Sequence, residues 1–211
     1  MNRHNKRAVK DEPIFLDKKL YKDLVSLISK IEWPYKTNKK VFWTRDKAFF
    51  AFLILTGCRV SEAINVNVKQ FRSYTKNIIL VNIQSMKHGL LRRKIILPKI
   101  GALSPVTYIF EDWLDMVEGM NIKDGYLFPR GNSHGLDFTQ HFNRHRAYQI
   151  VSLTGKFPHW ARSVCATIYG RKIFDNDAWK LKSFMGWKSL ESSSDYISGS
   201  WEKDEKNLYA L

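Results

Sequence analysis

Six side chains carry the chemistry that this sequence can perform. They are Arg59 in TGCRVSE, Lys87 in SMKHG, His159 and Arg162 in HWAR, Trp187 in MGW, and Tyr196 in SSSDYI. Two guanidinium groups, an ammonium, an imidazole and an indole N–H are all hydrogen-bond donors. Gathered around one anion, they suit a phosphate passing through a pentavalent state. Tyr196 adds a hydroxyl that can attack that phosphorus. Phosphodiester cleavage without a metal needs these three parts: a nucleophile, cationic clamps on the phosphoryl oxygens, and an acid for the leaving oxygen.

Taken singly, most of these residues have an ordinary reading. Arg59 alone is a surface arginine, although its planar fork can bond two phosphate oxygens at once and stays charged. Glu62 lies three residues later on the same helical face, where it can orient Arg59. His159 and Arg162 are spaced i, i+3 at the start of a helix, where backbone N–H groups and the dipole favour an anion. Trp187 is one of seven tryptophans, and packing alone accounts for it. Lys87 sits at a turn, as a solvated lysine would, and Arg92, Arg93 and Lys94 follow closely. Tyr196 is one of nine tyrosines, but its flank Ser192-Ser193-Ser194-Asp195 is polar, which is unusual for a core aromatic. Tyr209, near the end of the sequence, carries little weight beside it.

Two other patterns lead nowhere. His141 and His145 have an i, i+4 spacing that can hold zinc on a helix, but no H-E-x-x-H glutamate and no third ligand accompany them. Ser163 and Cys165 lack a Ser-His-Asp or Cys-His setting and read as helix packing.

The elements that must position the six are mostly helices. Asp17 can cap a helix with apolar positions Leu20, Leu24, Leu27, Ile28 and Ile31, ended by Trp33-Pro34. A second helix, over Thr44 to Thr56, is apolar nearly all round and belongs in the core, with Gly57 as its C-cap. RVSEAINV begins a short third one. The period then changes to two, and 77–83 and 92–98 read as antiparallel strands joined around His88-Gly89. Ser104-Pro105 opens a helix carrying Phe110, Trp113, Leu114 and Val117. A loop at 129–135 leads to a helix over 138–152, followed by helices over 159–171 and 177–185. Tyr196 falls on a short helix after Gly186. The fold class is therefore α+β, mainly helical, with one small antiparallel hairpin.

Composition narrows the partners. The chain has 211 residues and a formal charge of +15, the electrostatic footprint of a polyanion binder. A membrane is excluded as the basic chain's partner: no stretch approaches the roughly 18 apolar residues of a span, and no signal region leads the sequence. At 44% hydrophobic residues, the chain can bury a sizeable core as one domain. Cys58 and Cys165 read as buried thiols in a reducing cytosol; taken with the basic charge, this points to a cytoplasmic, DNA-associated protein.

In kind, order and separation, TGCRVSE, HWAR, MGW and Tyr196 resemble the tyrosine recombinases, the phage-integrase family. The resemblance runs from about Phe15 to Tyr196. It implies a catalytic domain over 14–200, preceded by a basic flexible arm over 1–13. A tail over 201–211 would dock one protomer on another. It also implies that Tyr196 attacks the scissile phosphate of double-stranded DNA at a specific target site, leaving a 3′-phosphotyrosyl bond. Arg59 and Arg162 then clamp the phosphate. His159 donates to it and manages the tyrosine proton, Lys87 protonates the leaving 5′ oxygen, and Trp187 supplies a hydrogen bond and packing. No cofactor, metal or ATP is implied. The partners implied are a homotetramer on DNA and accessory DNA-bending proteins, in the host cell of a mobile element or virus.

The sequence departs from the family pattern in three ways. The helical DNA-binding domain common before the catalytic one is missing, as in the fimbrial-inversion recombinases, or is encoded separately, or is truncated. Ser163 replaces the usual histidine after the second arginine, and Trp187 the commoner histidine. The expected activity is site-specific recombination of the integration, excision or inversion type. Alternatives are a type IB-like topoisomerase or telomere resolvase, and a catalytically silent DNA-binding regulator on the same fold.

Overall fold

The computed structural model describes residues 18–75, 78–84, 92–99, 101, 103–132 and 134–197. The expected cap Asp17, the arm over 1–13, Lys87 and the tail over 201–211 lie outside the described residues. The chain begins with α1 (Lys18–Ser29), which buries Leu24 and Ile28. It ends at Ser29, ahead of the Trp33-Pro34 stop that the sequence suggests.

The fold is organised around α2 (Lys39–Thr56), in which every residue from Ala48 to Thr56 is buried. A helix that is apolar all round has to be enclosed on every side. It is packed by α1, by α4 (Ser104–Gly119) and by α6 (Pro158–Ile168). Its rings interlock: Phe52 lies 5.4 Å from Phe110 and 5.5 Å from Phe128, and Phe49 meets Phe142 edge-on at 4.8 Å. Gly57 ends α2 in the left-handed conformation at φ 58°, its N–H bonding Leu53 O. The short α3 (Val60–Ala63) follows directly. In α4 the cap position falls one residue earlier than expected, on Leu103, and the Ser104 hydroxyl bonds Gly101 O instead.

The expected hairpin is present as β2 (Ile78–Gln84) and β3 (Arg92–Pro98), antiparallel with Val81 opposite Ile95. Ile95 and Leu97 are buried while Ile96 is exposed, as a period of two requires. The sequence reading missed β1 (Phe71–Thr75), which pairs with β2 to make a three-stranded sheet. It also missed a second hairpin, β4 (Pro129–Asn132) with β5 (Gly135–His141). The helix placed over 138–152 is corrected accordingly. Residues up to His141 are strand, and α5 (Arg144–Ser152) starts only where the Asn143 side chain accepts the Arg146 N–H. His141 and His145 thus sit on different elements and share no helix face.

Charge is buried near the middle of α2. Arg45 is 2% exposed and Asp46 0%, paired at 2.7 Å. Arg45 also donates to Pro129 O at 2.9 Å, and Arg146 of α5 reaches Asp46 at 2.9 Å. Both guanidinium groups donate to the Tyr35 hydroxyl, which itself donates to Asp46. Arg146 lies 4.1 Å over the Trp33 ring. One carboxylate thus compensates two arginines and ties three segments together.

The chain continues through α6 into a π turn (Tyr169–Ile173), then α7 (Ala178–Met185) and α8 (Glu191–Ile197). Asp177 caps α7, accepting the N–H groups of Trp179 and Lys180, and Gly186 ends it at φ 64°. These three helices match the expected ones closely. Among the described residues no helix is long and apolar enough to cross a membrane.

Two outcomes follow from the buried cluster. Asp46→Ala would strand two arginines with no counter-charge, and urea unfolding should show a loss of about 3–5 kcal/mol. Burial, and then the Asp46 carboxylate, push the Tyr35 phenol up to about 12 from an ordinary 10.0. The unfolded chain therefore gives up this proton first, so stability should fall as pH rises from about 10 to about 12. Tyr35→Phe should remove that part of the decline, as comparison of the two melting curves across this range would show.

Candidate functional site

Arg162 lies one turn into α6 and is 5% exposed. Its guanidinium donates to two main-chain carbonyls: Gly57 O, at the end of α2, and Met185 O at 2.8 Å, at the end of α7. Both carbonyls belong to helix C-termini, where the dipole is negative and carbonyls lack helical partners. A buried cation needs such compensation. The two bonds fix the plane of the guanidinium and draw α2, α6 and α7 together. Gly57 makes this approach possible: a Cβ there would come within 2.9 Å of both Cys165 Sγ and Met185 Cε.

Trp187 follows the Gly186 cap, and the Arg162 guanidinium lies 5.7 Å from the centre of its ring. Tyr196 stacks on Trp187. Its ring centroid is 5.3 Å from that of Trp187, with the planes 19° apart. The Tyr196 hydroxyl lies 3.3 Å from Ser163 Oγ, on the residue after Arg162. Arg162, Trp187 and Tyr196 are thereby joined in one packed group.

Arg59 stands two residues beyond Gly57, so the Arg162–Gly57 bond ties its base to the same group. Its side chain is 32% exposed and pairs with Glu62 at 3.0 Å. Glu62 is buried, and its other carboxylate oxygen accepts the Arg59 N–H at 2.8 Å. The orienting role read from the i, i+3 spacing is thus visible as two bonds. His159 is exposed on the first turn of α6, just after Pro158. Lys87 lies outside the described residues.

Two residues that touch Tyr196 escaped the sequence reading. Ser163, which reads as helix packing in the sequence, faces the hydroxyl. Arg171, in the π turn, donates from Nε to the Tyr196 carbonyl at 3.0 Å. A basic residue beside Lys172 looks like solvated surface, and a partner that is a main-chain oxygen leaves no signal in the sequence. Cys165 is buried, as expected. Among the described residues no group of three or more His, Cys, Asp or Glu could hold a metal ion.

The family model described as "Phage integrase family" matches residues 15–202. No curated protein matches significantly. Among solved structures, the XerH site-specific recombinase bound to a palindromic difH substrate, a post-cleavage complex, has a TM-score of 0.65 at 20% identity. That match covers 97% of this chain and 55% of the other. The Tn1549 transposon integrase, residues 82–397 with circular intermediate DNA, has a TM-score of 0.54 at 14% identity. It covers 94% of this chain and 66% of that one. The chain thus spans about half the length of the XerH structure, and at these identities the likeness is one of fold.

The junction itself is open to test. Gly57→Ala places a side chain in the left-handed region and against Cys165 and Met185. A loss of about 1–3 kcal/mol in thermal or urea unfolding is expected.

Proposed function

We propose, because the chain belongs to the phage integrase family, that it is a site-specific DNA recombinase that works through a tyrosyl–DNA ester. Tyr196 is the nucleophile. Its oxygen forms a bond to phosphorus as the bond to the 5′ oxygen breaks, leaving a 3′-phosphotyrosyl ester and a free 5′ hydroxyl. The phenol loses a proton, with His159 managing it, and the 5′ oxygen gains one from Lys87. Arg59 and Arg162 hold the nonbridging oxygens and offset the charge that grows on them. Trp187 contributes an N–H donor and a surface for the tyrosine ring. The phosphate bond is conserved in the ester, so a 5′ hydroxyl from a partner strand can reverse the step without ATP or metal.

The observation that carries this reading is the single packed group of Arg162, Trp187 and Tyr196. A clamp and a nucleophile separated by 34 residues in sequence meet through Ser163 and a shared indole. The net charge of +15 supplies the sequence-independent hold on the DNA backbone. The XerH and Tn1549 structures are themselves complexes with DNA. Residues 14–200 act as the catalytic domain, with 1–13 lying on DNA and 201–211 docking a neighbouring protomer in a tetramer. Integration, excision or inversion is then set by the arrangement of target sites, with DNA-bending proteins assisting.

The test is direct. The protein is mixed with fragmented DNA in EDTA and denatured, and DNA that stays covalently attached is recovered and sequenced. Wild type should yield adducts at recurrent sequences, and Tyr196→Phe none. Arg59→Ala should lower the yield about a hundredfold. Adducts undiminished in Tyr196→Phe would overturn the assignment. Salt-sensitive binding with no adduct would indicate a silent regulator.

A further inference from the structure

Tyr196 sits on a seven-residue helix. So short a helix has little stability of its own and takes its position from tertiary contacts. The contacts that hold it come from neither Arg59 nor His159. At the hydroxyl end, Ser163 Oγ lies 3.3 Å from Tyr196 Oη. Along the ring, Trp187 stacks at 5.3 Å. At the backbone end, Arg171 Nε donates to the Tyr196 carbonyl at 3.0 Å. Three contacts at separate points remove the freedom of the helix to slide and of the ring to swing.

The supports are themselves fixed. Ser163 is 5% exposed on α6 beside Arg162, and its carbonyl accepts the Thr167 hydroxyl at 2.9 Å. Arg171 belongs to the π turn, closed by Phe174 N–H on Tyr169 O at 2.8 Å. Such a turn widens the helix by one residue and re-aims the side chains it carries. Gly170, beside Arg171, lets α7 and α8 close in: a Cβ there would meet Leu181 at 3.0 Å and Ile197 at 3.3 Å.

We propose that Ser163 and Arg171 are positioning residues for the nucleophile, holding Tyr196 at its hydroxyl and at its backbone within a single chain. The proposal rests on the reading of Tyr196 as nucleophile. In-line attack tolerates little misplacement, and an error of about 1 Å can cost on the order of a hundredfold in rate. Ser163 sets the swing of the phenol, and Arg171 sets the height of its Cα above α6. Neither touches phosphate in this role, so DNA affinity does not depend on them.

The experiment uses the full chain with Ser163→Ala, Ser163→Thr, Arg171→Ala and Arg171→Lys. Hydrogen exchange without DNA reads the amides of 191–197, where Arg171→Ala should exchange about tenfold faster. Single-turnover cleavage is measured at saturating concentrations of an oligonucleotide duplex carrying the recurrent sequence recovered with wild type. Ser163→Ala and Arg171→Ala should each cleave about tenfold more slowly, with Kd for the duplex unchanged. Ser163→Thr, which keeps the hydroxyl, should restore the rate. Wild-type rates in both alanine variants would overturn the proposal, as would equal losses in rate and affinity, or failure of threonine to rescue. If wild type forms no adduct, the assignment of function falls instead. Exchange alone then decides whether Arg171 holds α8, and unchanged protection sinks that half too.

Discussion

A buried arginine bonded to the ends of two helices determines where everything else in this site can be. Arg162 is nearly inaccessible, and its charge is compensated by the carbonyls of Gly57 and Met185. Those carbonyls are available because α2 and α7 both stop in the left-handed conformation, at Gly57 and Gly186. The dipoles of both helices add to the compensation. Moving either helix would break one of these buried bonds and orphan its carbonyl, which is costly. The guanidinium is therefore held in place by the fold before any ligand arrives, which is what a clamp for developing charge requires.

Helix α2 carries this organisation to the other side of the domain. Its C-terminal end meets Arg162, and its middle carries Arg45 and Asp46, bonded to Tyr35, Pro129 and Arg146. Between the two polar junctions runs a fully buried apolar stretch walled by Phe71, Phe110, Phe128 and Phe142. Apolar packing provides most of the attraction but little directional preference. The two arginine junctions, with fixed fork geometry, supply the directions. A packed core held at both ends by oriented hydrogen bonds suits a site whose parts come from the start of α3, from α6, from the turn after α7 and from α8.

Several local patterns in the sequence are present in the structure. The all-apolar run before Gly57 is α2, and the alternation in 92–98 is a strand with Ile96 out and Ile95 and Leu97 in. The i, i+3 spacings place Glu62 on Arg59 and set His159 one turn before Arg162. The reading fails at 129–141, where the short β4–β5 hairpin holds too few residues for the alternation of Leu136 and Phe138 to outweigh the helical period that follows. Asn143, a strong cap, was the available sign that the helix begins only there. Strand β1 was missed for a related reason: FRSYT has no clear alternation, and its pairing with β2 makes it a strand.

Residue types and their order were enough to propose a nucleophile, two clamps and a mainly helical scaffold, because capping, periodicity and donor chemistry are properties of a few neighbouring residues. Folding alone settled which atoms meet. Arg162 bonds a carbonyl 105 positions away, and Arg45 one 84 positions away. Arg171 acts on the backbone of Tyr196, and Ser163 on its hydroxyl. Main-chain oxygens occur at every residue, so a sequence carries no mark of the one that a distant side chain will find. That choice is made by how the helices pack, and it depends on all their contacts at once.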